Sequence, residues 1–246
     1  MGAPHSAISK AQSIVRIGRP AVEPRTERAV AEWTLIVGNR NYSSWSLRGY
    51  LAVAQTGVAF DVVVLPLDRL DSKQRLRAET PAGLVPALRG PDGVVWDSLA
   101  IAEYCADRFP AATLWPADRP ARAHARAVSA EMHSGFAPLR AHMPMDMRSD
   151  RSGVGRTPEV LANIERITGL WRHCRETYGA GGPFLFGTFT IADAMYAPVC
   201  SRFRTYAVDL DAVCGAYAAA IWEHPPMARW LAAARDEPWT IEHPVV

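Results

Sequence analysis

The spacing of apolar and polar positions changes character twice along the chain. Trp33-Thr34-Leu35-Ile36-Val37 is a β-rich run, and the polar stretch Asn39-Arg40-Asn41-Tyr42-Ser43-Ser44 follows it. The pattern predicts a strand and then a loop. Leu47, Leu51, Ala54 and Val58 recur at helical spacing, with Gly57 placed to end the helix. Phe60 to Pro66 is a second β-rich run, and strand, helix, strand over so short a length predicts a parallel βαβ unit. A polar segment over 68–79, compatible with a helix, leads to Thr80–Leu88, the turn Arg89-Gly90-Pro91-Asp92-Gly93 and Val94-Val95-Trp96, which together predict a hairpin. Pro86 cannot donate to a ladder, so it marks an edge, a bulge or a cis bond. Leu99, Ala102, Ala106 and Phe109 predict a further helix, with Ser98 as its N-cap and Pro110 at its end.

Beyond a proline-rich stretch, strand signals nearly vanish. Ala121, Ala125, Val128, Met132, Phe136 and Leu139 keep one helical face, and helices are expected over 158–178 and 225–236 around a glycine loop at 179–182. Thr190-x-x-Asp193 is a capping-box pattern worth about 1 kcal/mol as a helix start. The pattern divides the chain into an extension over 1–32, an α/β half over 33–110, a linker over 111–119 and an all-helical half over 120–246.

Composition narrows the class. With 246 residues, 49% hydrophobic and 21% charged, the chain is globular and long enough for two modest domains. Its longest charge-free run, 177–192, is broken by glycines and a proline, so no membrane span is expected and the protein reads as soluble. The net charge of +2 resides in the first 32 residues, and acids and bases balance from Trp33 onward. The broad positive field of a nucleic-acid binder is missing. The extension reads as a disordered tail in preference to a transit peptide. Cys105, Cys174, Cys200 and Cys214 form no CxxC pair and lie in helical patterns, so buried thiols of a reducing compartment are expected and no zinc site. His124, His133 and His142 have the wrong helical spacing to share a metal.

Three features converge on one possible site. Ser43-Ser44 precedes a helix, where one hydroxyl can cap and the other can donate to an anion above the helix start. Val85-Pro86, if cis, turns the Val85 backbone outward from a sheet edge, where an extended peptide can pair with it. Asp97-Ser98 opens the next helix, and an aspartate beside a helix N-terminus suits the paired charges of an α-amino acid.

In order and spacing these residues resemble the cytosolic glutathione S-transferase family over about Trp33 to Asp236, and Ser43-Ser44-Trp45-Ser46-Leu47-Arg48 is similar to the serine motif of its zeta and theta-like classes. Trp45 stands where that motif has cysteine, which weighs against isomerase or mixed-disulfide chemistry. The resemblance implies a thioredoxin-like domain followed by a helical bundle, cytoplasmic location, a homodimer, glutathione as co-substrate and no metal. On that match Ser43 activates the thiol, with Tyr42 as the rival hydroxyl. Val85 pairs with the cysteinyl backbone of glutathione, Pro86 is the cis proline, and Asp97 with Ser98 holds the γ-glutamyl end. Lys73 or Gln74 is the candidate for the glycyl carboxylate. An ordinary thiol of pKa ~8.5 is only about 3% ionised at pH 7, and bringing it to ~6.5 takes about 2.7 kcal/mol of anion stabilisation. One hydroxyl and a helix N-terminus are of that order. The expected reaction is conjugation of the thiolate to a small apolar electrophile, whose pocket draws on His133, Phe136, Met143, Met145 and Met147. The alternatives are a glutathione-dependent isomerase, an ether- or halide-cleaving enzyme, or a non-catalytic carrier or assembly module of the same fold.

Overall fold

The structure, a computed structural model, describes residues 32–67 and 69–242. Apart from Glu32, the expected disordered tail lies outside the described residues. The α/β half runs β1 (Trp33–Val37), α1 (Ser44–Gln55), β2 (Phe60–Val64), α2 (Ser72–Glu79), β3 (Ala87–Gly90), β4 (Gly93–Trp96) and α3 (Ser98–Arg108). Its sheet has the order β2-β1-β3-β4. β1 pairs in parallel with β2 from Trp33↔Phe60 to Val37↔Val64, and antiparallel with β3 at Leu35↔Leu88.

Alternation along the central strand explains the layers, because successive side chains leave a strand on opposite faces. Leu35 and Val37 join Leu47, Leu51, Ile101, Ala102 and Cys105 of α1 and α3 in one core. Ile36 points the other way, to Leu65, Leu76 and Ala87 beneath α2. The hairpin is tighter than the sequence suggests. Gly90 pairs with Gly93, which leaves only Pro91-Asp92 as the turn.

A short 3-10 turn at Pro110–Ala112 leads into the second half: α4 (Arg119–Ser134), α5 (Ala137–His142), α6 (Pro158–Tyr178), α7 (Ile191–Thr205), α8 (Ala212–Glu223) and α9 (Pro225–Arg235). The single helical face expected from Ala121 to Leu139 is interrupted. Gly135 ends α4, Phe136 adopts a positive φ of 60°, and a new helix starts with proline in its first turn. Apolar periodicity survives such a corner, so it could not reveal the break. α7 is the axis of the molecule: every residue but Arg204 is buried, and it packs on α1, α4 and α8. One hydrophobic core therefore runs from Leu35 to Trp230 across both halves. Among the described residues no helix is long and apolar enough to cross a membrane, and no group of His, Cys, Asp and Glu could hold a metal ion. The four cysteines are buried with free thiols, and burial pushes Cys105 and Cys174 up to about 12.

Candidate functional site

The site is built where β1 hands over to α1. Ser43 is the N-cap of α1: its Oγ accepts from the Ser46 N–H at 3.3 Å and donates to Ser46 Oγ at 2.8 Å. Ser46 Oγ in turn accepts from the Gly38 N–H at 2.9 Å. The expected division of labour between the serines therefore takes a definite form. The cap falls to Ser43, and the Ser44 hydroxyl makes no hydrogen bond among the described residues. A hydroxyl pair at the positive end of a twelve-residue helix is suited to an anion above it, because the helix dipole and donors act in the same direction.

Across from it, the Val85-Pro86 bond is cis, and the β1–β3 ladder stops at Ala87, so Val85 lies beyond the paired strand. Gly49 of α1 lets the Pro86 ring come close; a Cβ there would lie 2.9 Å from Pro86 Cγ. Trp45, Leu84, Val85, Pro86, Trp96 and Asp97 line one cavity of about 500 Å³. Asp97, not Ser98, caps α3. With φ of 75° it accepts from the Leu99 and Ala100 N–H groups through Oδ1, while Oδ2 lies 3.4 Å from His133 Nε2. This corrects the N-cap expected at Ser98, whose Oγ is buried without a partner in the first turn. An aspartate can cap from a positive φ, and an acid beside a hydroxyl offers two side chains of comparable capping strength, which the sequence alone does not separate.

The halves meet at Trp45. Its indole lies under the guanidinium carbons of Arg48 at 4.7 Å and Arg140 at 4.8 Å and edge-on to His133 at 5.2 Å. Arg48 is 1% exposed and spends only Nε, on the Met195 carbonyl. Both its terminal nitrogens, Nη1 of Arg140 and Nη1 of Arg202 are buried without partners. Burial, with Arg140 and Arg202 facing it, pushes Arg48 well below the usual arginine range, and only Tyr196 and Asp97 pull the other way. Burial also lowers His133, against the pull of Asp97. Burial thus favours the neutral imidazole of His133, whose Nε2 lies 3.4 Å from Asp97 Oδ2.

Family models for the glutathione S-transferase N-terminal and C-terminal domains match residues 42–108 and 121–233. The chain belongs to the glutathione S-transferase family. A Caenorhabditis elegans protein named "Probable maleylacetoacetate isomerase" is 36% identical over 174 residues, covering 70% of this chain and 79% of that protein. The maleylpyruvate isomerase of a Ralstonia species is 27% identical, covering 71% of this chain and 91% of the relative. Among solved structures, the holo form of a maleyl pyruvate isomerase, a bacterial zeta-class glutathione S-transferase, superposes with a TM-score of 0.63 at 22% identity, over 85% of this chain and all of that one. A glutathione transferase homologue from Burkholderia with bound glutathione gives 0.62 at 24% identity, over 83% and 98%. The family's two-part fold, thioredoxin-like then helical, is the one described above.

Within this family fold, the residues singled out from sequence divide into two groups. Val85, Pro86 and Asp97 line the cavity, and Ser43 caps α1 two residues before Trp45, which also lines it. Lys73 and Gln74 are exposed on α2. Tyr42, the rival hydroxyl, has its ring under the Arg148 guanidinium at 5.9 Å and its oxygen 3.4 Å from Arg148 Nη2. Of the five residues expected to shape the acceptor pocket, only His133 reaches Trp45 and Asp97. Phe136, Met143 and Met145 are core residues, and Met147 packs against the core from outside. Sequence reasoning passed over Arg140 and the role of Arg48. The one available signal was an arginine four residues after Ser44 in the same helix, and no periodicity marks Arg140 as its neighbour.

Proposed function

We propose that this glutathione S-transferase family member is a glutathione-dependent cis–trans isomerase of a small unsaturated acid. The observation that carries this reading is the set of buried, unpartnered guanidinium nitrogens on Arg48 and Arg140, which flank Trp45, itself part of the cavity wall. Arginine stays charged in proteins, and a buried cation without a counter-ion is costly. A carboxylate is the group that removes that cost, and bidentate arginine contacts are its strongest neutral-pH partners. The isomerase names carried by the relatives support the same class. They favour it over conjugation to an apolar electrophile, in spite of Trp45 at the motif's cysteine position.

The chemistry needs a thiolate and no external base in the turnover itself. Glutathione lies along the Val85 edge with its sulfur at Ser43, and Asp97 holds its ammonium. When the sulfur is ionised, the hydroxyl pair reverses: Ser46, still accepting from Gly38, donates to Ser43, and Ser43 donates to sulfur. The thiolate adds to one carbon of a double bond conjugated to a carbonyl, forming a C–S bond and sending the π electrons to the carbonyl oxygen. The former double bond is now single and rotates. Collapse of the enolate expels the thiolate and leaves the trans isomer, so glutathione is regenerated. The positive charge of Arg48 and Arg140 behind Trp45 favours the carboxylate at that end of the cavity while the rest of the molecule turns.

The test is a pair of measurements on the purified protein. Retention on immobilised glutathione and turnover of a cis-2-ene-1,4-dicarbonyl acid are expected, with a drop of at least tenfold for the corresponding methyl ester. Turnover of a generic aryl halide together with none of the acid returns the function to conjugation, and failure to bind glutathione leaves the carrier or assembly reading.

A further inference from the structure

The loop between β1 and α1 is held from outside by the far end of the chain. Glu237 lies just past α9, is only 6% exposed, and is not among the residues around the cavity. Its carboxylate accepts from two consecutive backbone N–H groups, Arg40 at 2.9 Å through Oε1 and Asn41 at 3.4 Å through Oε2, with the Arg40 guanidinium 3.7 Å away. The Arg40 carbonyl accepts from the Trp230 indole N–H at 3.0 Å. Asn41 is fully buried, donates to Asp146 at 2.7 Å, and accepts from the Arg148 N–H at 3.0 Å. Arg148 then binds the carbonyls of Glu237 and Trp239, both at 2.6 Å, so the strap is tied at both ends. The same loop closes the turn that sets Ser43, through the Ser43 N–H on the Asn39 carbonyl at 2.8 Å.

This arrangement is costly unless it has a use. A buried carboxylate is desolvated, and its negative charge lies near the N-terminus of α1, where it opposes an anion on electrostatic grounds alone. What it contributes is geometry. A loop of six residues, Gly38 to Ser43, most of them polar, has little apolar surface to fix it, and the two oxygens of one carboxylate hold two adjacent peptides in a defined orientation.

We infer that Glu237 is a positioning residue for thiol activation: by clamping the Arg40 and Asn41 amides it holds the loop that aims the Ser43–Ser46 hydroxyl pair and the start of α1 at the glutathione sulfur. The inference rests on the glutathione reading given above. Local charge and local geometry make opposite demands. If Glu237 acted mainly by its charge, neutralising it would lower the thiol pKa. If it acts by holding the loop, removing the clamp raises it.

The experiment titrates the thiolate absorbance near 240 nm of glutathione bound to wild type, Glu237→Gln and Glu237→Ala, with amide exchange of peptides spanning 39–43 measured on the same proteins. Expected are faster exchange in Glu237→Ala and a thiol pKa raised by about one unit, a roughly tenfold loss of thiolate below the wild-type pKa. Glu237→Gln, which keeps one acceptor oxygen and the shape of the side chain, is expected to recover most of the shift and guards against misfolding of the alanine variant. A pKa lowered in Glu237→Gln, or unchanged in Glu237→Ala while exchange quickens, overturns the inference and leaves Glu237 a structural residue. A wild type with no thiolate band refutes the glutathione reading itself and the positioning role with it; a normal wild-type band with matching variants refutes the positioning role alone.

Discussion

Asp193 shows how much a helix cap can gain in cost once its surroundings are known. As a capping-box residue it is worth about 1 kcal/mol by pattern alone. In the structure it is fully buried. Its Oδ2 accepts from the Thr190 N–H at 2.8 Å and the Thr190 hydroxyl at 2.9 Å, and its Oδ1 accepts from the Leu185 N–H at 3.0 Å, which ties the loop before α7 to the helix. Asp193→Ala leaves two buried backbone N–H groups without acceptors, each at about 2 kcal/mol, so a loss of about 4 kcal/mol is expected. That is a large share of a typical domain's stability, roughly 5–15 kcal/mol. Burial pushes the Asp193 carboxyl up to about 6, above the ordinary ~3.9 of an unfolded chain. A raised carboxyl pKa means the folded state holds its proton longer, so this group's contribution falls as pH rises from about 4 to about 6. The cost of Asp193→Ala is therefore greater at about pH 5 than at about pH 7. Urea unfolding followed by far-UV circular dichroism measures both. A loss below about 1 kcal/mol at pH 7, or one that grows with pH, refutes the reasoning.

Other expectations follow from single contacts. Ser46→Ala removes the hydroxyl behind Ser43 and the acceptor of the Gly38 N–H; the thiol pKa of bound glutathione should rise by up to about one unit while glutathione affinity holds within a few-fold, and an unchanged titration would remove the relay. Gly49→Ala drives a methyl to 2.9 Å from Pro86 Cγ, so stability should fall by about 1–3 kcal/mol and KM for glutathione should rise more than kcat falls; equal kinetics would show that Pro86 has room to move. His224 is stacked on Phe189 at 4.1 Å, and burial pulls it down to about 4. Its depressed pKa means stability from this group rises with pH from about 4 to about 6.5, opposite in sign to Asp193. A proton NMR titration of His224 in the ordinary histidine range, near ~6.5, would contradict that.

The sequence was most informative where local rules decide. The β-rich run from Trp33 to Val37, the terminator at Gly57 and the Thr190-Asp193 box each specify an element with little help from elsewhere, because propensity, turn chemistry and capping act within a few residues. The order of those elements was enough to carry a family resemblance, and with it Ser43, Val85, Pro86 and Asp97. Other features needed the folded chain. Whether Asp97 or Ser98 caps α3 depends on a backbone angle, and the corner at Phe136 is invisible to apolar spacing. The cluster around Trp45 joins Arg48, His133 and Arg140 from three helices, and the clamp joins Arg40 to Glu237 across 197 positions. Side chains that far apart leave no periodic trace. Their meeting is fixed by packing of α7 and α9 against α1, and so is the charge balance that makes a buried arginine seek an anion.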